Sequence, residues 1–266
     1  MKYAPLPNDD QIPVIGLGTW SFGGGMSPNR SHDREAVATL RFALEIGYTH
    51  LDTAEMYGGG HTEELIGQAL QGLDREQIFL TTKVSASHLR YIDVLASLQS
   101  SLNRLRTEYV DLYLIHWASN HIPPAETFRA LNEAVNRGLV RRLGVSNFGL
   151  RQLQESVTLA ETPIATDQVP YSLANRRYAE NGVLAFCQEH RILLTAYSPL
   201  KDGVLRNRGV QAVARKHGVT PAQVALYWLV RQPGVITIPM STSRLHLKEN
   251  LEAADLDLPP EDLQEL

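Results

Sequence analysis

The sequence predicts an α/β fold, a (β/α)8 TIM barrel, and three observations carry that expectation. Short β-branched runs alternate with longer amphipathic stretches along the chain, the pattern of βα units on a parallel sheet. Eight such runs can be counted, as a closed barrel requires; open doubly wound sheets typically have fewer, plus a glycine-rich phosphate loop near the start. The 266 residues, 43% of them hydrophobic, match the roughly 250 residues such a barrel uses as one domain.

In chain order the expected strands are Val14 to Thr19, Tyr48 to Thr53, Ile78 to Val84, Val110 to Trp117, Val140 to Asn147, Ile164 to Val169, Ile192 to Ser198 and Val235 to Pro239. The short segment before the first is expected to form a hairpin across the barrel floor. A helix from Asp33 to Ile46 ends at Gly47, which suits the residue just past a helix C-terminus. Arg90 to Leu105 places Ile92, Leu95, Leu98, Leu102 and Leu105 on one helical face. Thr220-Pro221 reads as a cap followed by proline in the first turn, opening a helix to about Gln232. An earlier helix ends near His217, so the seventh connection carries two helices. Extra helices are expected near the eighth strand and at the C-terminus, one starting near Pro260. No linker, repeat or low-complexity segment interrupts the pattern, and residues 1 to 266 read as one domain.

Composition excludes several classes of function. With 25 basic against 29 acidic residues, the chain has no surplus of positive charge for a phosphate backbone, so no nucleic-acid partner is expected. The N-terminal run through Asn8-Asp9-Asp10 has no apolar signal core, and the longest apolar run, Val224 to Val230, falls far below the ~20 residues of a membrane span. A cytoplasmic monomer with no membrane association is expected. The single cysteine, Cys187, cannot form an intrachain disulfide and has no basic neighbour in sequence, so it reads as a core thiol.

Chemistry in such a barrel belongs at the carboxyl ends of the strands. Unusual polar residues fall there strand after strand. Asp52 closes the second, with Tyr57 just beyond; Lys83 closes the third and His116 the fourth. Ser146-Asn147 close the fifth, Gln168 the sixth and Tyr197-Ser198 the seventh, and Ser241 follows the eighth. Lys83 shares strand parity with Thr81 and Phe79, and His116 with Leu114 and Leu112, so both continue faces able to fill the barrel interior. Taken singly, each has a plainer reading: a structural Asp52–Lys83 ion pair, a core histidine at His116, a packing tyrosine at Tyr57, strand-end caps at Ser146, Asn147 and Gln168. Convergence on one rim favours chemistry. A phenol is a reluctant acid, with an ordinary pKa of about 10; a lysine cation stabilises the phenolate and an aspartate holds the lysine. An imidazole orients a carbonyl. Such a set protonates an oxyanion but carries no electrons, so a hydride donor must be bound. Serine, asparagine and glutamine suit a carboxamide, and Tyr197 offers a flat face to an aromatic ring.

These residues lie in segments that resemble the aldo-keto reductase family over nearly the whole length, as a short prokaryotic-type member. Gly47-Tyr48-Thr49-His50-Leu51-Asp52-Thr53-Ala54-Glu55-Met56-Tyr57-Gly58 resembles the family's first signature. Leu114 to Trp117 resembles its catalytic histidine strand, Gly144 to Phe148 its nicotinamide-contacting strand end, and Ala196 to Leu200 the segment whose tyrosine stacks on nicotinamide. Ile238-Pro239 with Ser241 and Glu249-Asn250 resembles the adenosine-phosphate segment. The resemblance implies an NADPH-dependent reductase of aldehydes and ketones, with a catalytic set of Asp52, Tyr57, Lys83 and His116 and Tyr57 as general acid. It implies cofactor contacts at Ser146, Asn147, Gln168, Tyr197, Ser198, Leu200, Ser241, Thr242, Arg244 and Asn250, and a substrate pocket lined by Trp20 and Trp117. Two departures stand out. Met240 and His246 replace the family's usual lysine and arginine, which weakens two cationic contacts to the 2′-phosphate and opens NAD as an alternative to NADP. The connections Ala118 to Pro124 and Lys201 to Asn207 are short and the chain ends at Leu266, so an open site with broad substrate selection is expected.

Other signals are set aside. Gly16-Leu17-Gly18 begins like a dinucleotide fingerprint, but Ser21 stands where the third glycine belongs. The glycine triplets at 23–25 and 58–60 read as rim loops, and His50 as a satisfied core histidine. No H-E-x-x-H or H-x-H pattern points to a metal. Two rival functions remain at this level: a metal-assisted barrel hydrolase, for which only His116 and Asp52 offer rim ligands, and a nucleotide-sensing regulatory protein with weak turnover.

Overall fold

A two-stranded antiparallel hairpin, β1 (Tyr3–Pro5) and β2 (Gln11–Pro13), precedes eight parallel strands. These are β3 (Leu17–Gly18), β4 (His50–Asp52), β5 (Phe79–Val84), β6 (Leu112–Ile115), β7 (Leu143–Ser146), β8 (Ile164–Pro170), β9 (Leu193–Tyr197) and β10 (Val235–Thr237). Neighbours in sequence are neighbours in the sheet. The computed structural model describes residues 2–7, 10–264 and 266; Met1, Asn8, Asp9 and Glu265 lie outside the described residues.

The sheet closes on itself. Thr237 N donates to Val14 O and Gly16 N to Thr237 O, both at 2.9 Å, and Gly18 N reaches Pro239 O at 3.3 Å. Close packing explains the glycine pair that resembles a fingerprint fragment: a Cβ on Gly16 would stand 2.4 Å from His50 Nδ1, and one on Gly18 2.6 Å from the Ile238 carbonyl oxygen across the seam. The strands are shorter than their apolar runs. Each ladder ends in single backbone bonds, such as His116 N to Val84 O at 3.0 Å and Asn147 N to Gln168 O at 2.9 Å, after which the chain turns away. Asn147 (φ 62°) and Ser198 (φ 53°) take left-handed conformations at these turns.

Helices cover the outside: α1 (Asp33–Glu45), α2 (His61–Ala69), α3 (Tyr91–Leu105), α4 (Pro124–Asn136), α5 (Leu150–Leu159), α6 (Arg177–Glu180), α7 (Val183–Glu189), α8 (Arg208–His217), α9 (Pro221–Val230), α10 (Arg244–Glu252) and α11 (Pro260–Gln264). The α9 start is built as expected. Thr220 Oγ1 accepts from Gln223 N at 3.2 Å while Gln223 Oε1 accepts from Thr220 N at 2.9 Å, a reciprocal cap with Pro221 in the first turn. Gly47, at φ 110°, follows α1. One expected core position is corrected: Ile92 is 75% exposed. It lies at the edge of the α3 stripe, and Val94 takes the buried place with Leu98, Leu102 and Leu105. The sixth connection carries the two short helices α6 and α7, which periodicity does not reveal, and Cys187 is buried in α7. Among the described residues, no helix is long and apolar enough to cross a membrane.

His50 is buried as expected but only half satisfied. Its ring Nε2 pairs with Thr81 Oγ1 at 3.1 Å, whereas Nδ1 has no partner. Burial and the Lys83 charge push this imidazole down to about 3.

Asp167, on β8, is fully buried. Its Oδ1 accepts a long bond from Phe148 N at 3.4 Å and its Oδ2 has no partner. Burial pushes the carboxyl well above the ordinary aspartate range, with the Phe148 N–H opposing. A folded-state pKa above the unfolded value means that stability is complete in acid and is lost as pH rises through the folded value. Asp167→Asn, which cannot ionise, should therefore match the parent near pH 4 and exceed its melting temperature by about 2–4 °C at neutral pH. Melting curves across that range check this; a lower melting temperature at neutral pH would contradict it.

Candidate active site

At the carboxyl rim, four side chains from separate elements meet. Asp52 ends β4 and is 1% exposed; Lys83, in β5, is fully buried. Lys83 Nζ donates to Asp52 Oδ1 at 2.5 Å, to the Thr53 carbonyl at 2.7 Å and to Tyr57 Oη at 3.4 Å. Tyr57 opens a turn of 3-10 helix, Tyr57–Gly60, that runs directly into α2. His116 follows β6, its ring centroid 5.8 Å from that of Tyr57, and it stacks on Trp117 at 3.9 Å. Trp20 meets the Tyr57 ring edge-on at 4.9 Å.

The electrostatics follow from burial. Burial alone would depress the Lys83 ammonium, but the Asp52 and Tyr57 contacts together hold it above the ordinary lysine range. The expectation that Lys83 lowers the Tyr57 pKa holds for its own contribution only. Burial outweighs it and the phenol lies above its ordinary value, so Tyr57 carries its proton at neutral pH. His116 is pushed down to about 2 by burial and the Lys83 charge, and is therefore uncharged.

The two rim glycine loops lock together beside this set. Gly58 N donates to Gly25 O at 2.7 Å and Gly23 N to Thr62 Oγ1 at 3.2 Å. Gly58 has φ 59°, and a Cβ there would fall 2.5 Å from the Gly23 carbonyl oxygen. The residue after the phenol thus has to be glycine on both counts.

A cavity of about 610 Å³ opens over the four residues. Trp20, Met26, Met56 and Trp117 form one wall; Tyr197, Ser198, Leu200 and Lys201 form another; Ile238, Pro239 and Met240 extend it toward the seam. Asp52, Tyr57, His116 and Gln168 reach its surface, while Lys83 lies beneath.

The family model for the aldo/keto reductase family matches residues 14–266. The chain belongs to the aldo-keto reductase family. It is 36% identical to methylglyoxal reductase YeaE of Escherichia coli, over 97% of this chain and 90% of that one. The structure superposes on the thermostable aldo-keto reductase Tm1743, solved with the inhibitor epalrestat, with a TM-score of 0.97 and 45% identity, covering 100% and 98% of the two chains. It also matches an aldo-keto reductase from Klebsiella pneumoniae, solved with NADP and acetate, with a TM-score of 0.90 and 36% identity, covering 99% and 93%.

In this aldo-keto reductase the remaining expected site residues divide into two groups. Ser146, Asn147 and Gln168 knit the rim together. Ser146 Oγ donates to the Gln168 carbonyl at 2.8 Å. Asn147 Nδ2 donates to the His116 carbonyl at 3.1 Å and to Ser146 Oγ at 3.0 Å, and Tyr197 Oη donates to Asn147 Oδ1 at 2.8 Å. Gln168 Nε2 donates to Asp52 Oδ2 at 2.7 Å. The second group, Ser241, Thr242, Arg244 and Asn250, lies off the cavity, beyond Met240. Ser241 Oγ accepts from Ser243 N at 3.1 Å, and Asn250 is buried in α10. The Arg244 guanidinium sits 4.7 Å over the Phe42 ring of α1. Met26, Met56, Lys201 and the Thr53 carbonyl are site groups missed from the sequence. Met26 lies in an aperiodic glycine loop, and a backbone carbonyl leaves no residue-type signal.

Proposed function

We propose that this chain reduces small aldehydes and ketones to alcohols with NADPH, Tyr57 donating the proton. The observation that carries this reading is the buried Asp52–Lys83–Tyr57 chain beside an uncharged His116 at the floor of an open cavity. The cavity also suits a dinucleotide. It runs from Trp20 and Tyr57 to Met240, presents the Tyr197 ring, and offers an amide at Gln168. Relatives named as methylglyoxal reductases and the NADP complex of the Klebsiella enzyme support the same chemistry.

When bound, reduced nicotinamide supplies the hydride. The residues of the chain hold and move the proton. His116 donates a hydrogen bond to the substrate carbonyl and orients it. Tyr57 passes its proton to the carbonyl oxygen, and the Lys83 ammonium stabilises the phenolate left behind. Asp52 holds Lys83 in place. Ser146, Asn147 and Gln168 would hold the carboxamide of the cofactor and Tyr197 would face its ring, with Ser198 and Leu200 continuing the groove toward Ser241, Thr242, Arg244 and Asn250. Trp20 and Trp117 line the substrate end. Incubation with NADPH and methylglyoxal should consume cofactor and form alcohol in equal amounts; cofactor binding with no turnover would refute the reading.

Cofactor choice rests on the Met240 end. Met240 lines the cavity where a cation would meet a 2′-phosphate, and Arg244 and Lys248 both lie over Phe42. NADH is therefore used alongside NADPH. Met240→Lys should raise affinity for NADPH over NADH by about tenfold or more, the worth of one charge-assisted hydrogen bond. Fluorescence titration with both cofactors checks this, and an unchanged ratio would place the phosphate elsewhere.

A further inference from the structure

Gln168 touches two things at once. Its Nε2 donates to Asp52 Oδ2 at 2.7 Å, and it lines the same cavity as Tyr57 and Tyr197. Among the described residues, no group donates to its Oε1.

The Asp52 carboxylate divides its oxygens between two donors: Oδ1 takes Lys83 at 2.5 Å and Oδ2 takes Gln168 at 2.7 Å. An ammonium has three N–H groups. Asp52 and the Thr53 carbonyl take two of the Lys83 protons at short range, and the third points to Tyr57 at the longer distance of 3.4 Å. This third contact is the weakest of the three and the easiest to lose. Without the Gln168 donor, Oδ2 becomes a buried, unpaired anionic acceptor, which is costly. The carboxylate then turns to take Lys83 with both oxygens, which draws the ammonium off Tyr57. Asp52 on β4, Lys83 on β5, His116 after β6 and Tyr197 on β9 are the titratable groups near the phenol, and of these Lys83 donates to it.

We propose that Gln168 is a positioning residue that couples the seat of the cofactor carboxamide to Tyr57 through Asp52 and Lys83. The inference rests on Tyr57 as the proton donor. A carboxamide held by the free face of the Gln168 amide keeps that side chain against Asp52, and so keeps the third Lys83 proton on the phenol. Binding at the seat and proton delivery are joined by one side chain.

Gln168→Met keeps the length and much of the volume of the side chain and removes the donor. Three readouts separate the outcomes: NADPH affinity by fluorescence, hydride transfer in a single turnover at saturating NADPH, and phenolate absorbance of the cofactor-free protein taken against a Tyr57→Phe background. The expected result is a phenolate signal displaced upward by about one pH unit and hydride transfer slowed about tenfold, beyond any loss of affinity. In an Asp52→Asn background the same substitution should displace the phenolate signal little, because the path runs through that carboxylate. Weakened NADPH binding with unchanged phenolate titration and hydride transfer would make Gln168 a binding contact only and overturn the inference. Unimpaired hydride transfer in Tyr57→Phe would remove the proton donor itself, a failure read from a different variant.

Discussion

Tyr57→Phe is expected to slow hydride transfer by about two to four orders of magnitude while leaving NADPH affinity nearly unchanged. The ring packs against Trp20 and His116, and phenylalanine keeps those faces. What it removes is the hydroxyl that Lys83 meets at 3.4 Å. The pH dependence has a definite sign. Burial raises the phenol above its ordinary value of about 10, so carbonyl reduction should hold a plateau through neutrality and fall only in strong alkali, as the donor loses its proton. No limb belongs to His116, which stays uncharged throughout this range. The variant should lose the alkaline limb along with the rate. Stopped-flow transfer rates against pH measure both, and a variant that keeps most of its rate would assign the proton to another donor.

Lys83→Met carries a second large expectation, because it strikes stability and chemistry together. Asp52 is 1% exposed, and its Oδ1 would be left without its donor. Breaking a buried pair from one side typically costs about 3–5 kcal/mol, or a melting temperature lower by about 10 °C for a chain of this size. The loss should depend on pH. Lys83 has a raised folded-state pKa, so the parent keeps the ion pair's contribution below the ordinary lysine value and loses it as pH climbs through the folded one. In the variant a protonated Asp52 is no longer an unpaired charge, so the deficit should shrink in acid. Melting curves at acid and neutral pH test this, and turnover should fall by about a hundredfold or more as the phenolate loses its cation. A variant as stable as the parent at neutral pH would mean that Asp52 finds another donor.

The barrel and most of its rim were legible because the rules involved are local. Alternating parity placed Lys83 and His116 on the inner face, and chain order alone put Asp52, Gln168 and Tyr197 toward the carboxyl ends of the second, sixth and seventh barrel strands. What escaped depends on contacts distant in sequence. The phenol's acidity turns on burial as well as on Lys83, and sequence reveals the lysine but not the burial. The stacking of Arg244 on Phe42 could not be read either, because Phe42 lies some two hundred residues earlier, on α1. Ile92 was misplaced for a different reason: at the first turn of α3 the apolar stripe is wide enough to include it by spacing, yet the side chain stands 75% exposed. The helices α6 and α7 are too short to show a period.

The bond from Gly58 to Gly25 ties the turn that carries Tyr57, the proposed proton donor, to the stretch of chain that bears Trp20 and Met26. Reshaping that wall to admit bulkier compounds would disturb the placement of Tyr57 as well. Libraries aimed at new substrates should leave both glycines untouched, so that the Tyr57 turn keeps its anchor on Gly25.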